Sequence, residues 1–295
     1  MPGLVRRYIV SLYLNEGIAM KKNGFIGYGS MGNMLINGFL KSGVLASEET
    51  VVSNRTLAKI ENLVQKWKGI TITTDNRKVA RESDLLFVCV RPLDVLHVLH
   101  EIKGDLTSST HLVSIAGCVT INDIESQFPG QVTKVIPSIT SEVREGISLV
   151  CHNPKVTRDE MEYLEKLLGA ISRVVHVREN DFEVAADFTS CAPGMIAAIF
   201  DCFVRAGLRH SEIKSDLAQR MIISTLFGTA KLMAEKGIGF SELIERVATK
   251  GGITEEGVKV LNNHLPSAFD EVFLKTLSKH GVVKEMIRNQ RITDR

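Results

Sequence analysis

The chain has no C-x-x-C pair, no P-loop and no long run of charge of one sign, and each absence excludes a class of protein. Its five cysteines are odd in number, so we expect reduced thiols in a cytoplasmic protein rather than a disulfide framework. Basic and acidic side chains nearly balance, at 36 against 34, which gives no indication of nucleic acid or an anionic membrane as a partner. No Ser-His-Asp arrangement is visible either.

Metal ligands and membrane spans are also scarce. His97 and His100 lie on one face of a predicted helix, but no third ligand accompanies them, so we predict no metal site. No stretch outside the N-terminal segment is long and apolar enough to span a membrane, and we expect no membrane partner. At 295 residues, 44% hydrophobic and 24% charged, the composition is that of a soluble globular protein large enough for two domains.

Residues 1–19 contain a short apolar run after Arg6-Arg7 that imitates a signal peptide. Asn15-Glu16 interrupts this run, and no A-x-A cleavage site follows it. We interpret Met20 as the natural start of the domain and residues 1–19 as an upstream extension, which we expect to be disordered.

A glycine-rich junction between a strand and a helix is the most informative feature present. Residues 23–40 read NGFIGYGSMGNMLINGFL, and the lack of a Cβ lets a diphosphate reach the main-chain N–H groups. The helix that follows presents its positive N-terminal end to the phosphates. A second strand, Thr50 to Ser53, lies at βαβ distance and completes a dinucleotide-binding fingerprint. The predicted cofactor ligands in this turn are Gly27, Tyr28, Gly29, Ser30, Met31 and Gly32.

The end of the second strand indicates which dinucleotide binds. An NAD site usually places a carboxylate there to accept hydrogen bonds from the ribose 2′-OH, but residues 53–56 read S-N-R-T. The guanidinium of Arg55 suits a 2′-phosphate, which it binds with paired charge-assisted hydrogen bonds. We therefore predict NADP(H) as the cofactor, with Asn54 and Arg55 among its ligands. The alternative is that Arg55 is a solvated residue that caps the next helix.

Apolar runs of strand length alternate with helical stretches from residue 23 to about 177. Helical stretches such as Leu57–Trp67 and Glu160–Leu168 separate the strands. The alternation predicts an α/β fold with a Rossmann-type doubly wound sheet, whose cofactor groove lies at the carboxyl ends of its strands. The further predicted strands are Ile70–Thr73, Leu85–Val90, His111–Ile115, Val132–Ile136, Ile147–Val150 and Val174–Val177.

The pattern changes after Arg178, where nearly every segment is typical of a helix. We therefore divide the chain near residue 180, into an NADP-binding domain over residues 20–180 and an all-helical domain over residues 181–295. The first predicted helix is apolar almost all round, which indicates a buried subunit interface. Lys284–Arg295 is expected to be a loose polar tail. The predicted helices are Phe182–Leu208, Ser211–Lys236, Phe240–Thr249, Thr254–Leu265 and Ala268–His280.

The order of the motifs resembles the pyrroline-5-carboxylate reductase family over nearly the whole chain after Met20. Besides the glycine fingerprint, the motifs are T-T-D-N at 73–76, V-C-V-R-P at 88–92, S-I-A-G at 114–117, V-I-P-S-I-T at 135–140, C-A-P-G at 191–194 and T-K-G-G-I-T at 249–254. The resemblance implies NADPH-dependent reduction of a small cyclic imine acid, pyrroline-5-carboxylate, to proline. It also implies a homodimer or higher homo-oligomer, with residues 181–295 as the dimerisation and substrate domain.

Individual site residues follow from the same resemblance. It implies that Asn76 and the segment Cys89–Pro92 line the cofactor, and that Ser114–Gly117 flanks the nicotinamide. It places the substrate at a glycine loop near residue 250. The residues so implied for the cofactor are Asn76, Val90, Arg91, Pro92 and Ala116, and those for the substrate are Lys250, Gly251, Gly252 and Thr254.

The glycine loop near residue 250 can also be interpreted from its chemistry. Gly251-Gly252 precedes a helix, so its N–H groups can converge on a carboxylate as an anion nest. The Thr254 hydroxyl can hydrogen-bond a ring nitrogen while hydride reaches the neighbouring carbon, which makes it the candidate catalytic residue. The alternative is that the glycines form only a turn and that Thr254 is a helix N-cap, with Glu255 and Glu256 complementing the dipole.

Three positions depart from the usual pattern of the family. Ser138 replaces an amide, Cys191 adds bulk before the helical domain, and Lys250 replaces a proline beside the glycine loop. The strings around them are more similar to the late-competence, ComER-type branch of the family. Two alternatives stay open: a catalytically weak NADP-binding regulatory protein of the same fold, and a β-hydroxyacid dehydrogenase. The second is disfavoured because that class works with a lysine on the long interdomain helix, and residues 182–208 contain no lysine.

Overall fold

A computed structural model describes residues 21–293, with side chains described as far as Gln290. The expectations for residues 1–19 and for Met20 lie outside the described residues. The described chain forms two compact units, one that extends to Cys191 and resumes at Leu277, and one that comprises Ala192–Thr276. The functional division near residue 180 stays a prediction.

One eight-stranded sheet forms the centre of the first unit, in the order β3-β2-β1-β4-β5-β6-β7-β8. Neighbouring strands from β3 to β6 are parallel, β7 is antiparallel to β6, and β8 is parallel to β7. The carboxyl ends of β7 and β8 therefore lie at the opposite edge of the sheet from the carboxyl ends of the other six strands. The strands are β1 (Asn23–Ile26), β2 (Thr50–Ser53), β3 (Thr71–Thr73), β4 (Leu85–Val88), β5 (His111–Ser114), β6 (Gln131–Pro137), β7 (Gly146–His152) and β8 (Ser172–His176).

Helices cover both faces of this sheet, which confirms the predicted doubly wound α/β fold. Strands β1, β4 and β5 are buried along their whole length, as continuous apolar runs require in a sheet covered on both sides. The α-helices of this unit are α1 (Ser30–Ser42), α2 (Glu61–Lys66), α3 (Asn76–Glu82), α4 (Val95–Ile102), α5 (Ile121–Glu125), α6 (Arg158–Gly169) and α7 (Phe182–Ala186). Short 3₁₀ turns lie at Ser47–Glu49, Leu57–Lys59, Pro92–Asp94, Ile139–Val143 and Glu179–Asp181.

Aromatic packing fixes α1 against the strands that carry the glycine turn. The rings of Phe25 on β1 and Phe87 on β4 stack with centroids 4.8 Å apart. Phe39 on α1 closes the cluster at 5.9 Å from Phe87. All three side chains are fully buried, so the turn between β1 and α1 is held by both of its flanking elements.

The second unit consists of helices among the residues that the structure describes. They are α8 (Ala192–Leu208), α9 (Ser215–Lys236), α10 (Phe240–Val247) and the first part of α11 (Ile253–Thr293). Large apolar side chains stand exposed on these helices, including Phe203 at 61% and Phe227 at 70%. Such surfaces are typical of subunit interfaces.

The predicted helix Phe182–Leu208 contains a π turn at Asp187–Cys191 between α7 and α8. The expectation that no stretch could span a membrane is wrong for this region. The segment Glu179–Leu208 is long and apolar enough by length and composition alone, and little of its apolar stretch is buried within the protomer. An interface helix that is apolar all round satisfies the same criterion, so the segment by itself is weak evidence for a membrane span.

The end of the chain differs from the expectation in two ways. Pro266 lies inside α11, so the two predicted helices over 254–280 are one. The predicted loose tail from Lys284 is also wrong as far as Thr293, because this part continues the helix. Ile287 is fully buried in the core of the first unit, Val283 packs one turn before it, and Lys284 pairs with Glu183. An apolar pair at i, i+4 explains why a polar segment stays helical.

Candidate functional site

Two glycines of the β1–α1 turn are required by the fold itself. Gly27 adopts φ +101°, and a Cβ there would lie 2.6 Å from the carbonyl oxygen of Cys89. A Cβ on Gly32 would lie 2.5 Å from the carbonyl oxygen of Gly27. The Gly27 N–H donates to the carbonyl oxygen of Ser53 at 2.9 Å, which ties the turn to β2. The turn therefore has one conformation that larger residues would not permit.

Gly29 has a different environment from the other two glycines. It is exposed, and a Cβ on it would meet no atom within 4 Å. Gly29 is also the N-cap residue of α1, and no side chain caps this helix end. The first-turn N–H groups, which include those of Ser30 and Met31, therefore lie at an open main-chain surface. This arrangement suits an anion such as a diphosphate.

Asn54 connects the glycine turn to the end of β2. Its Oδ1 accepts a hydrogen bond from the Tyr28 N–H at 3.2 Å, and its Nδ2 donates to the carbonyl oxygen of Thr56 at 2.8 Å. The neighbouring Arg55 is exposed, and no hydrogen bond or ion pair joins it to another described residue. The next helical turn has Thr56, not Arg55, at its N-cap. Arg55 thus offers an uncommitted cation at the carboxyl end of β2, and the capping alternative gains no support.

Asn76 is placed at the same edge but already makes two contacts within the protein. Its Oδ1 accepts from the Ser53 hydroxyl at 2.7 Å, and its Nδ2 donates to Glu101 at 2.9 Å. The side chain therefore links β2 to α4. Sequence reasoning missed this partner, because Glu101 lies 25 residues further along the chain.

The ends of β4 and β5 complete the edge of the sheet. The Cys89 N–H donates to the carbonyl oxygen of Ile26 at 2.7 Å, and burial raises the pKa of the Cys89 thiol to about 12. Cys89 is therefore a protonated core thiol and not a nucleophile. Arg91 is exposed beside Pro92 and pairs with Asp94 at 2.8 Å. Ala116 is buried and donates its N–H to the Ser114 hydroxyl at 3.3 Å.

Most predicted cofactor residues are thus brought to one edge of the sheet. Strands β1, β2, β4 and β5 are neighbours there, and the chain order reverses between β1 and β4, which is where nucleotides bind in such folds. Val90 lies close enough to the turn that its Cγ1 would be 3.1 Å from a Cβ on Gly27.

An amide cluster that was not expected from the sequence lies on α1 next to the glycine turn. Asn37 donates to Asn33 at 2.6 Å and to the Tyr28 hydroxyl at 3.1 Å, and it accepts from Lys66 at 2.6 Å. The i, i+4 spacing of the two asparagines on α1 was the available signal. The cluster holds the ring of Tyr28 against the helix.

The unusual Ser138 is buried at the end of β6. Its hydroxyl donates to the carbonyl oxygen of Thr189 at 3.0 Å and lies 2.9 Å from the Thr140 hydroxyl. The serine therefore connects the sheet to the π turn. Cys191, at the end of that turn, is half-buried, and its burial raises the pKa of the thiol, with Asp187 adding to the shift. A thiol held in its protonated form gives no support to a nucleophilic role.

The predicted substrate loop belongs to the second unit. Gly251 adopts φ +74°, and its N–H donates to the carboxylate of Glu255 at 2.7 Å. The Gly252 N–H donates to the carbonyl oxygen of Thr249 at 2.8 Å. Both predicted nest amides are therefore engaged, and the carboxylate on Gly251 is the chain's own.

The other two residues of this loop are open to solvent. Thr254 and Lys250 are both exposed. The helix begins at Ile253, so Thr254 lies inside the first turn and not at its cap. This position leaves the Thr254 hydroxyl without the capping role that was the alternative to catalysis.

Comparison with protein-family models gives two matches. The model described as pyrroline-5-carboxylate reductase dimerisation matches residues 179–281, and the model described as NADP oxidoreductase, coenzyme F420-dependent, matches residues 22–117. The first match covers the exposed apolar helices α8 and α9. The second covers the glycine turn and the ends of β2, β4 and β5.

Curated proteins and solved structures match over nearly the whole chain. Pyrroline-5-carboxylate reductase 3 of Bacillus subtilis is 36% identical over 272 residues, which are 92% of this chain and all of the relative. ComE operon protein 4 of the same species is 30% identical over 259 residues, 88% of this chain and 95% of the relative. A pyrroline-5-carboxylate reductase structure from Coxiella burnetii superposes with TM-score 0.78 at 26% identity, covering 91% of this chain and 99% of that one. The NADP-bound pyrroline carboxylate reductase of Plasmodium falciparum shares the fold with TM-score 0.77 at 22% identity, covering 90% and 98%.

Proposed function

The chain belongs to the pyrroline-5-carboxylate reductase family, and on that premise we propose that it uses NADPH to reduce the C=N bond of a cyclic imine acid. Pyrroline-5-carboxylate is the substrate that the relatives' names indicate, with proline as the product. The observation that carries the proposal is the open main chain at Gly29 beside the uncommitted cation of Arg55. An NADP-dependent oxidoreductase needs both of these features on one edge of its sheet.

The described residues fit NADPH at its diphosphate and at its 2′-phosphate. The open surface over Gly29 admits the diphosphate, and the uncapped N-terminus of α1 supplies N–H donors and a positive dipole end to it. Arg55 holds the 2′-phosphate, and Asn54 positions Arg55 by fixing the end of β2 to the turn. Asn76 acts through Ser53 by supporting the same strand end. Bound NADPH supplies the hydride, and the protein supplies alignment and charge.

The loop at 250–254 is proposed to hold the acid end of the substrate. A carboxylate bound at the Gly251 N–H would replace Glu255, which holds that donor in the described conformation. Lys250 adds a positive charge beside it. The Thr254 hydroxyl is proposed to hydrogen-bond the ring nitrogen, which gains a proton when the carbon of the C=N bond gains hydride.

We further propose that the protein is a homodimer that buries the apolar faces of α8 and α9. Exposed side chains on these helices include Ile199, Phe203, Ile223 and Phe227, and the dimerisation family model spans them. Burial in a dimer would account for the apolar character of Glu179–Leu208 without a membrane. The five free thiols fit a reducing compartment, which supports a cytoplasmic location.

Steady-state kinetics test this proposal. The purified full chain is given pyrroline-5-carboxylate with either NADPH or NADH, and coenzyme oxidation is followed by absorbance. We expect turnover that is saturable in the imine acid, with NADPH preferred by at least tenfold in kcat/KM. Oxidation of both coenzymes at the same rate would contradict the assignment of Arg55.

A second candidate function is a catalytically weak NADP-binding regulatory protein. The contact of Glu255 with the Gly251 N–H favours this candidate, because it occupies a donor that the substrate would need. Tight NADPH binding without turnover on pyrroline-5-carboxylate or other imine acids would support it over the reductase.

A further inference from the structure

Two histidines lie at the ends of the last two strands, away from the proposed nucleotide groove. His152 is the last residue of β7 and His176 the last residue of β8, and these strands are parallel, so their ends are neighbours. Glu165 lies on α6, the helix that connects the two strands. One ligand atom from each of the three side chains lies within 4.8 Å of the other two.

Hydrogen bonds behind His152 set which of its ring nitrogens is available. Its Nδ1 lies 2.7 Å from the Thr133 hydroxyl, which lies 2.6 Å from Nε2 of His111. Nδ1 of His111 lies 3.5 Å from the carboxylate of Glu160. Although burial raises the pKa of Glu160, its interactions with His111 and Lys21 hold it below its ordinary value. Glu160 is therefore an ionised acceptor.

An ionised acceptor at one end orients the whole chain of hydrogen bonds. The ionised carboxylate 3.5 Å from Nδ1 of His111 favours the tautomer that carries its proton on Nδ1, and Nε2 of this tautomer accepts from the Thr133 hydroxyl. Thr133 in turn accepts from Nδ1 of His152, since a hydroxyl has a single proton to donate. Nε2 of His152 is then left with its lone pair, and this atom is buried without a hydrogen-bond partner among the described residues. A fixed tautomer with a hydrogen-bonded Nδ1 is what metal-binding histidines require.

From this geometry we propose that His152, Glu165 and His176 form a binding site for a divalent transition metal of the zinc class. Two imidazoles and one carboxylate are a known zinc ligand set, with a fourth position left for water. Zinc ligand atoms lie about 3.3 Å apart in a tetrahedron, so the three atoms, which lie within 4.8 Å of one another, would have to move closer together. His176 and Glu165 are 56% and 37% exposed and lie 2.8 Å from each other.

The position of the site gives its role. It lies at the opposite edge of the sheet from the glycine turn, four strands from β1 at His152 and five at His176, or roughly 19–24 Å at about 4.8 Å per strand. A metal there cannot contact the cofactor or the reacting atoms. It would instead join β7, β8 and α6, and so stabilise the edge of the sheet. We expected no metal because no third ligand accompanies His97 and His100. The three ligands of this site are separated by 13 and 11 residues and form no motif.

Metal titration of the tag-free full chain tests the site. After removal of metals with a chelator, zinc is added in competition with a chromophoric chelator. We expect one zinc per chain with a Kd below about 10 μM, and at least a tenfold weaker Kd in His176→Ala and Glu165→Gln. His97→Ala is the matched control. His97 is an exposed histidine of the first unit, and no third ligand accompanies it and His100.

His176→Ala is preferred over His152→Ala as the decisive variant because His176 is exposed and its loss leaves the core intact. NADPH affinity is measured for each variant with and without zinc, and a value equal to that of the parent shows that the variant is folded. A Kd above about 10 μM in the parent protein, or the same Kd in the parent and in His176→Ala, would overturn the proposal. Equal weakening by His97→Ala would do the same, since it would show that zinc binds surface histidines in general.

Discussion

Replacing Gly29 with alanine is expected to separate cofactor binding from folding. Gly29 has φ −79° and ψ −169°, which alanine adopts freely, and the added methyl group would meet no atom within 4 Å. The free energy of unfolding of the apoprotein should therefore stay within about 0.5 kcal/mol of the parent or rise slightly. The methyl group would, however, stand where we place the diphosphate. We expect the Kd for NADPH to rise at least tenfold, or about 1.4 kcal/mol.

Gly27→Ala is the matched control and should behave in the opposite way. Its φ of +101° disfavours alanine, and the new Cβ would lie 2.6 Å from a carbonyl oxygen of Cys89. The backbone conformation alone costs about 1–2 kcal/mol, and relief of the clash adds to that. A total near 2 kcal/mol lowers the melting temperature of the apoprotein by roughly 4–8 °C.

Two measurements distinguish the glycine variants. Thermal unfolding without cofactor gives the melting temperature of the apoprotein. Fluorescence titration with NADPH gives the Kd of the cofactor. The proposed position of the diphosphate would be contradicted if Gly29→Ala bound NADPH as tightly as the parent, or if it lowered the melting temperature of the apoprotein as much as Gly27→Ala does.

Three other substitutions test separate parts of the molecule. Arg55→Ala removes a charged hydrogen-bond set of about 1.5–3 kcal/mol, so the Kd for NADPH should rise 10- to 100-fold while that for NADH hardly changes; equal losses would contradict a 2′-phosphate contact. Thr254→Ala should lower kcat more than NADPH affinity in steady-state assays, and unchanged kinetics would exclude the proposed hydrogen bond to the ring nitrogen. Ile287→Ala should cost about 2–5 kcal/mol in chemical denaturation, because Ile287 is fully buried. A loose tail would instead predict no change in stability.

The parts of the fold that follow local rules could be predicted from the sequence. Residues 23–55 carry a strand, three spaced glycines, a helix and a second strand within one βαβ unit, so the position of the groove follows from neighbouring residues. The strand patterns predicted the sheet for the same reason, since buried parallel strands are continuous apolar runs. The helical second half followed from its periodicity, which persists whatever the helices pack against.

Features that depend on tertiary packing or on the conformation of a loop could not be predicted in the same way. Ile287 looked like part of a polar tail because only its packing in the first unit buries it. Glu255 looked like a dipole-complementing residue, and its contact with Gly251 became visible only in the conformation of the loop. The helix Phe182–Leu208 is predicted only as an interface, although the composition of Glu179–Leu208 also fits a membrane span. The first two features are contacts that only the folded structure shows, whereas the third is a property of the composition itself.

Isotope transfer decides whether this chain reduces an imine with NADPH. The full chain is incubated with pyrroline-5-carboxylate and NADPH deuterated at the transferable C4 position, and the product is analysed by mass spectrometry. We expect proline that carries one deuterium on the carbon of the former C=N bond, because hydride passes directly from the cofactor to that carbon. Bound but unconsumed NADPH, or proline without deuterium, would contradict the proposed reaction.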